Sequence, residues 1–309
     1  MKDGGSRIDR LRGAIRSGDP MALGRALTIV ESGRPEGRAL LAALREDLGR
    51  AKVIGVTGPP GAGKSTLVDA LIRSWRAAGE RVAVLAVDPV SPISGGAVLG
   101  DRTRMGAHSL DDGVFIRSAS ARGHLGGLSI ATHEMADVMD AAGWPIILIE
   151  SVGAGQSETE IAQVADVAVV VCAPGLGDDL QAIKAGILEI ADILVVNKAD
   201  RDDAEQTAKH LQGMLALRKA ERRDVPVTRA SSTERTGIEE LRGLIEAALA
   251  RSEGRAERLR VHKTALFARG LAAKFEAALA GRDLGEIAEE AVDAVVRDAV
   301  VRLLSEASR

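Results

Sequence analysis

Gly58-Pro-Pro-Gly-Ala-Gly-Lys-Ser65 lies between an apolar run, Val53, Ile54 and Val56, and a stretch of helical character beginning near Lys64. It fits the phosphate-binding pattern G-x-x-x-x-G-K-[ST] in the strand–loop–helix setting that pattern requires. The residue types follow from the chemistry. Gly58, Gly61 and Gly63, with Pro59, Pro60 and Ala62 between them, let successive backbone N–H groups turn toward phosphate oxygens. The helix that starts at Lys64 points its partial positive end at the same anion. Lys64 is expected to reach the β- and γ-phosphates, the Ser65 hydroxyl to bind Mg²⁺, and Thr66 to complete the loop. The stretch implies a bound nucleoside triphosphate.

From Lys52 onward, strands and helices alternate. Apolar runs at Val53–Val56, Val82–Val87, Ile146–Ile149, Val167–Cys172, Ile193–Val196 and Val225–Val227 mostly lack period-two alternation. That suits strands buried on both faces of a parallel sheet. Helical spacing appears at Leu67–Trp75, Leu128–Met139, Leu211–Leu215 and Ile238–Ile245. The expected fold is α/β, a doubly wound, mostly parallel P-loop sheet with ligands at the carboxyl ends of the strands. Residues 1–50 read as a helical extension, with Asp19-Pro20 supplying a cap and a first-turn proline. Residues 51–250 form the nucleotide-binding domain. Residues 251–309 form a C-terminal helical arm, whose apolar stripe from Leu284 to Leu303 needs a partner surface.

The 309 residues carry a formal charge of −3, no broad nucleic-acid or membrane signature, and no apolar run long enough to span a bilayer. The one cysteine, Cys172, excludes an internal disulfide and a cysteine-cluster metal site. A reducing, cytoplasmic setting is the expectation. Tyrosine is absent and aromatics make up 2%, which argues against base-stacking platforms for single-stranded nucleic acid. The five histidines show no metal-ligand spacing; His124 is singled out by its glycine-bearing loop.

Asn197-Lys198-Ala-Asp200 follows a buried strand and matches N-K-x-D. An aspartate there accepts from both N1–H and the exocyclic amine of guanine, whereas adenine would leave it unpaired. GTP is therefore expected over ATP. Ser231 and Ser232 follow the next strand, where backbone N–H groups are expected beside the base oxygen. Glu150 and Gly153 stand where P-loop proteins usually carry Asp-x-x-Gly, so the metal ligand is one methylene longer than usual. Ala154 occupies the position after Gly153, where a water-orienting glutamine is customary, leaving Gln156 as the substitute and hydrolysis slow. Asp88 ends the second strand before Pro89 and is a candidate for a metal-bound or attacking water. Asp101, in a glycine-bearing segment, is a second candidate for Mg²⁺.

The chain resembles the MeaB/ArgK family of P-loop GTPases, which chaperone adenosylcobalamin-dependent acyl-CoA mutases such as methylmalonyl-CoA mutase. The resemblance is carried by VESGRP (30–35), GVTGPPGAGKST (55–66), AVDP (86–89), GGAVLGDRTRM (95–105), FIRS (115–118), LGG (125–127), ESVGAGQSE (150–158), PGLGDDLQAIKAGILEIADILVVNKAD (174–200) and TGIEEL (236–241). It implies a homodimer, GTP/GDP and Mg²⁺ as ligands, and an acyl-CoA mutase as partner. It also implies switches at 88–105 and 150–158, with Asp101 and Glu150 near the metal, and a third coupling segment at 174–188 containing Gln181 and Lys184. Ile93 departs from the family, where a basic residue is common, and the chain beyond about 250 does not match the family's arm clearly. A nucleotide-dependent kinase and a metallocentre-insertion GTPase stand as the alternatives.

Overall fold

The computed structural model describes residues 3–88, 108–120, 129–151, 157–175, 185–216 and 225–251, all within one compact unit, Met1–Arg255. Asp101, Gly153, Gln156, Gln181, Lys184, His124 and nearly all of the predicted C-terminal arm lie outside the described residues.

Seven parallel strands form one sheet in the order β3-β2-β4-β1-β5-β6-β7 among the described residues. They are β1 (Lys52–Thr57), β2 (Val82–Asp88), β3 (Val114–Ser120), β4 (Ile146–Glu150), β5 (Val167–Cys172), β6 (Ile193–Val196) and β7 (Val227–Arg229). β1 sits centrally, pairing β4 through Val56↔Glu150 and β5 through Thr57↔Val170. Strands β4 and β5 are buried along their whole length, which is why their sequences run apolar without alternation.

Two layers cover the sheet. On one face lie α4 (Lys64–Ala77) and α9 (Ile238–Arg251), burying Leu67, Leu71, Trp75, Leu241 and Ile245 against Ile54, Val84 and Leu148. On the other face lie α5 (Ser129–Ala141), α6 (Ser157–Val164), α7 (Ala185–Ile190) and α8 (Ala204–Ala216). The seat of α6 is close: a Cβ on Gly55 of β1 would meet Ile161 Cγ1 at 2.7 Å and the Ala165 Cβ at 2.9 Å. Helices α1 (Asp3–Arg16), α2 (Pro20–Glu31) and α3 (Pro35–Leu44) pack outside α5. The cap read at Asp19-Pro20 is present, with the Asp19 carboxylate accepting from the Met21 N–H at 2.8 Å. Asp140, at the end of α5, accepts the backbone N–H groups of Gly49, Arg50 and Ala51 at 2.6, 3.0 and 2.7 Å. This fixes the chain as it enters β1.

Three differences from the sequence reading stand out. Strand β3 was not predicted, because only Val114, Phe115 and Ile116 are apolar before Arg117-Ser-Ala-Ser120; the strand pairs β2 alone, at the sheet edge. Strand β7 begins two residues later than the Val225–Val227 run, since Pro226 contributes only its carbonyl, to Leu194 N–H at 2.9 Å. The short helices α6 and α7 were too brief to show a periodic signal.

Candidate guanine-nucleotide site

Strand β1 ends at Thr57, and the chain then turns sharply over β5. Gly58 adopts φ 138°, and a Cβ there would meet the Val171 carbonyl oxygen at 2.1 Å, so only glycine passes. The loop closes at Gly63 (φ 90°), and Leu67 N–H to Gly63 C=O, at 2.9 Å, starts α4. No side chain caps this helix. The N-terminal end of the helix, with the positive end of its dipole, faces the loop and favours an anion there. The Lys64 ammonium lies along the same loop, donating to the carbonyls of Gly58 at 2.9 Å and Pro59 at 3.1 Å.

Beside the loop, the Ser65 hydroxyl donates to Glu150 Oε1 at 2.6 Å. Both residues are buried, Glu150 to 3% exposure. The pairing follows from the topology: β4 lies next to β1, so the last residue of β4 sits beside the first turn of the helix that follows β1. Ser151 and Thr57 share a buried hydroxyl contact of 2.8 Å at the same strand ends. A serine hydroxyl and a carboxylate are hard oxygen donors of the kind Mg²⁺ accepts. Asp88 is the last residue of β2, two positions past the Ala86↔Glu150 pairing, at the same carboxyl edge.

The second half of the site is built on β6 and β7. Asn197, 2% exposed, follows β6 and faces two ways. Its amide nitrogen donates to the Ala62 carbonyl at 3.0 Å and the Gly63 carbonyl at 3.3 Å. Its oxygen accepts from the Ser232 N–H at 3.2 Å and hydroxyl at 2.7 Å. Lys198, with φ 58°, donates to the Gly61 carbonyl at 2.7 Å. The phosphate loop is thereby tied to the loop after β7 through one buried side chain.

Asp200 accepts from the Ser231 hydroxyl at 2.6 Å, and this bond, aided by its own backbone N–H, holds the carboxyl below the usual carboxylate range. Ser231 and Ser232 had been expected to offer backbone N–H groups to the base. The Ser231 N–H instead donates to the Thr236 carbonyl at 3.0 Å, and that of Ser232 goes to Asn197. Their hydroxyls orient the two acceptors of the N-K-x-D segment. Gly237 (φ 73°) closes this loop; a Cβ there would meet the Arg229 carbonyl oxygen at 2.2 Å.

A family model described as "Methylmalonyl Co-A mutase-associated GTPase MeaB" matches residues 23–279. The chain belongs to the MeaB family. Among related proteins, GTPase ArgK of Escherichia coli is 40% identical over 236 residues, covering 74% of this chain and 71% of ArgK. A Mycobacterium tuberculosis protein named a probable GTPase is 45% identical over 249 residues, covering 77% of this chain and 74% of its own. The mouse methylmalonic aciduria type A homolog is 41% identical over 209 residues, covering 63% of this chain and 50% of that protein. The crystal structure of a LAO/AO transport system kinase superposes with a TM-score of 0.67 at 25% identity, covering 97% of this chain and 98% of that one. HypB of Helicobacter pylori, in complex with nickel, has a TM-score of 0.51 at 16% identity over 74% of this chain and 98% of its own, a likeness of fold alone.

This MeaB-family chain is thus a member of a family of guanine-nucleotide-binding GTPases with the P-loop fold. No helix among its described residues is long and apolar enough to cross a membrane.

Proposed function

We propose that this chain binds GTP with Mg²⁺ and hydrolyses it slowly, as a cytoplasmic, homodimeric chaperone of an adenosylcobalamin-dependent acyl-CoA mutase. The observation that carries the nucleotide part is the Asn197 clasp, which ties the phosphate loop to the Ser231–Ser232 turn that also holds Asp200. The mutase part is supported by the description of the matching family and by the likeness to the methylmalonic aciduria type A homolog.

Phosphoryl transfer to water through a loose transition state demands positioning and charge neutralisation more than covalent chemistry. Lys64 and the N-terminus of α4 supply positive charge at the phosphates. Ser65 and Glu150 would hold Mg²⁺, with Asp101 as a further ligand; when bound, the ion neutralises charge on the β- and γ-phosphates. Asp88, at the carboxyl edge of β2, is assigned to orient the water. Asp200, kept ionised and fixed by Ser231, selects guanine. Gln156, Gln181 and Lys184 are assigned to coupling with the mutase. A transition-state arginine supplied by a partner is worth on the order of 10³–10⁵ in rate, which leaves room for strong stimulation.

The test is GTP hydrolysis by the purified chain, alone and with candidate mutase subunits carrying adenosylcobalamin. Slow phosphate release that rises at least about tenfold with one mutase is the expected result. Unchanged turnover with every such mutase would remove the chaperone role while leaving the GTPase. The name of the LAO/AO transport system kinase favours a second reading, nucleotide-dependent phosphorylation. Labelled γ-phosphate appearing on a protein or small-molecule acceptor instead of in water would establish it.

A further inference from the structure

We propose that the groove between α1 and α2 is a docking site for an acidic amphipathic helix of a partner protein. The groove encloses about 720 Å³ and lies outside α5, across the sheet from α4. Its floor is apolar, formed by Leu11, Ala14 and Ala22, and Met21 stands beside them at 83% exposure. Its rim is cationic: Arg7 and Arg10 stand one turn apart on α1, and Arg25 faces them from α2. The one acid among the described lining residues, Asp19, is engaged as the cap of α2. Arg7 also approaches Glu36 at 3.4 Å, an exposed pair that a stronger partner can displace.

The groove is held in shape without an occupant. Behind it, Arg16 donates to Asp47 Oδ1 at 2.8 Å and Arg12 to Asp47 Oδ2 at 3.2 Å, fixing α1. Helix α2 is fixed by its buried face and by Arg117 on β3, which donates to Glu31 at 2.7 Å. A large, nearly fully exposed thioether beside a recessed apolar floor is the kind of surface that adapts to a helix face. The concavity does not suit a planar bilayer, and the apolar floor does not suit a phosphate backbone. A helix with apolar residues at i, i+3 and i+4 and carboxylates flanking them satisfies both floor and rim. The groove is remote from the nucleotide site, so the inference stands independently of the proposed chaperone role.

The test uses the full chain and a fluorescein-labelled synthetic helix with leucines at helical spacing flanked by glutamates, followed by anisotropy. Binding that weakens with salt, and weakens at least about tenfold in the Arg7→Glu/Arg10→Glu/Arg25→Glu variant, is expected. Met21→Glu should weaken it as well. GTP hydrolysis and the circular dichroism spectrum should be unchanged in each. If the triple reversal misfolds, Arg25→Glu alone carries the comparison. Equal binding of a scrambled peptide of the same composition would overturn the proposal, as would no binding at all or binding that ignores the arginines. So would arginine-dependent binding to phosphatidylserine vesicles in place of the peptide, or a change in sedimentation showing that the groove joins two copies of this chain.

Discussion

Replacing Asn197 tests whether one buried side chain holds the two halves of the site together. Alanine removes four hydrogen bonds: two to the carbonyls of Ala62 and Gly63, and two from Ser232. At a net ~0.5–1.5 kcal/mol each they sum to roughly 2–6 kcal/mol. The Gly63 carbonyl keeps its bond from Leu67 N–H, so its loss is the mildest, and about 3–4 kcal/mol is the expected destabilisation. Aspartate is the sharper variant. It keeps the size and the acceptor for Ser232, but it sets a carboxylate oxygen where the amide now lies 3.0 and 3.3 Å from two carbonyl oxygens. A near-isostere should therefore be at least as damaging as the truncation. Urea unfolding without nucleotide, followed by the fluorescence of Trp75 and Trp144, gives the stability; titration calorimetry gives the GTP affinity, which should fall at least about tenfold as the loop loses its tether. Asn197→Asp within about 1 kcal/mol of the parent would refute the reasoning. So would a stability loss with GTP affinity intact.

Gly58→Ala should abolish nucleotide binding, since its Cβ has no room beside Val171, whereas Gly61→Ala meets open space and should cost only the left-handed backbone strain, about 1–2 kcal/mol. Thermal melts and GTP titrations of the pair separate the two effects. Ser231→Ala should narrow the preference for GTP over ATP and shift the acid limb of GTP binding. With its folded pKa depressed, Asp200 stays charged above the ordinary carboxylate value, and its contribution is lost only as pH falls through the lower folded value. Without the Ser231 hydroxyl that loss should begin at higher pH, which affinity measured as a function of pH will read. The Cys172 thiol, pushed up to about 12 by burial in β5, should resist thiol reagents in the native state and react on unfolding. Rapid native labelling would contradict the packing at the β5 end.

Much of this was legible because local chemistry enforces it. Gly58–Ser65 and Asn197–Asp200 each perform their part within a few residues, and the buried strands β1, β4 and β5 announce themselves by continuous apolar runs. What sequence could not supply was set by strand order. Asn197 is far from Ala62 in the chain and reaches it only because β5 alone separates β1 from β6. The hydroxyl roles of Ser231 and Ser232 arise from the turn that Thr236 and Gly237 close. Edge strand β3 escaped because, half-buried at the sheet edge, it carries only a short apolar run. Arg7, Arg10 and Arg25 carry no shared motif in the sequence, and only the packing of α1 on α2 brings them to one rim.

Asn197 also gives the pocket a ruler. Because it grips the phosphate loop with one end and the base loop with the other, the two subsites stand at a set separation before any ligand arrives. A nucleotide entering them is a bivalent ligand meeting two pre-spaced receptors, and its second contact forms at the high effective concentration that a rigid span provides. Guanosine and a bare polyphosphate, each seizing one end, gain nothing from that span. The whole nucleotide should therefore bind far more tightly than either fragment alone, and cutting the ruler at Asn197 should shrink that advantage.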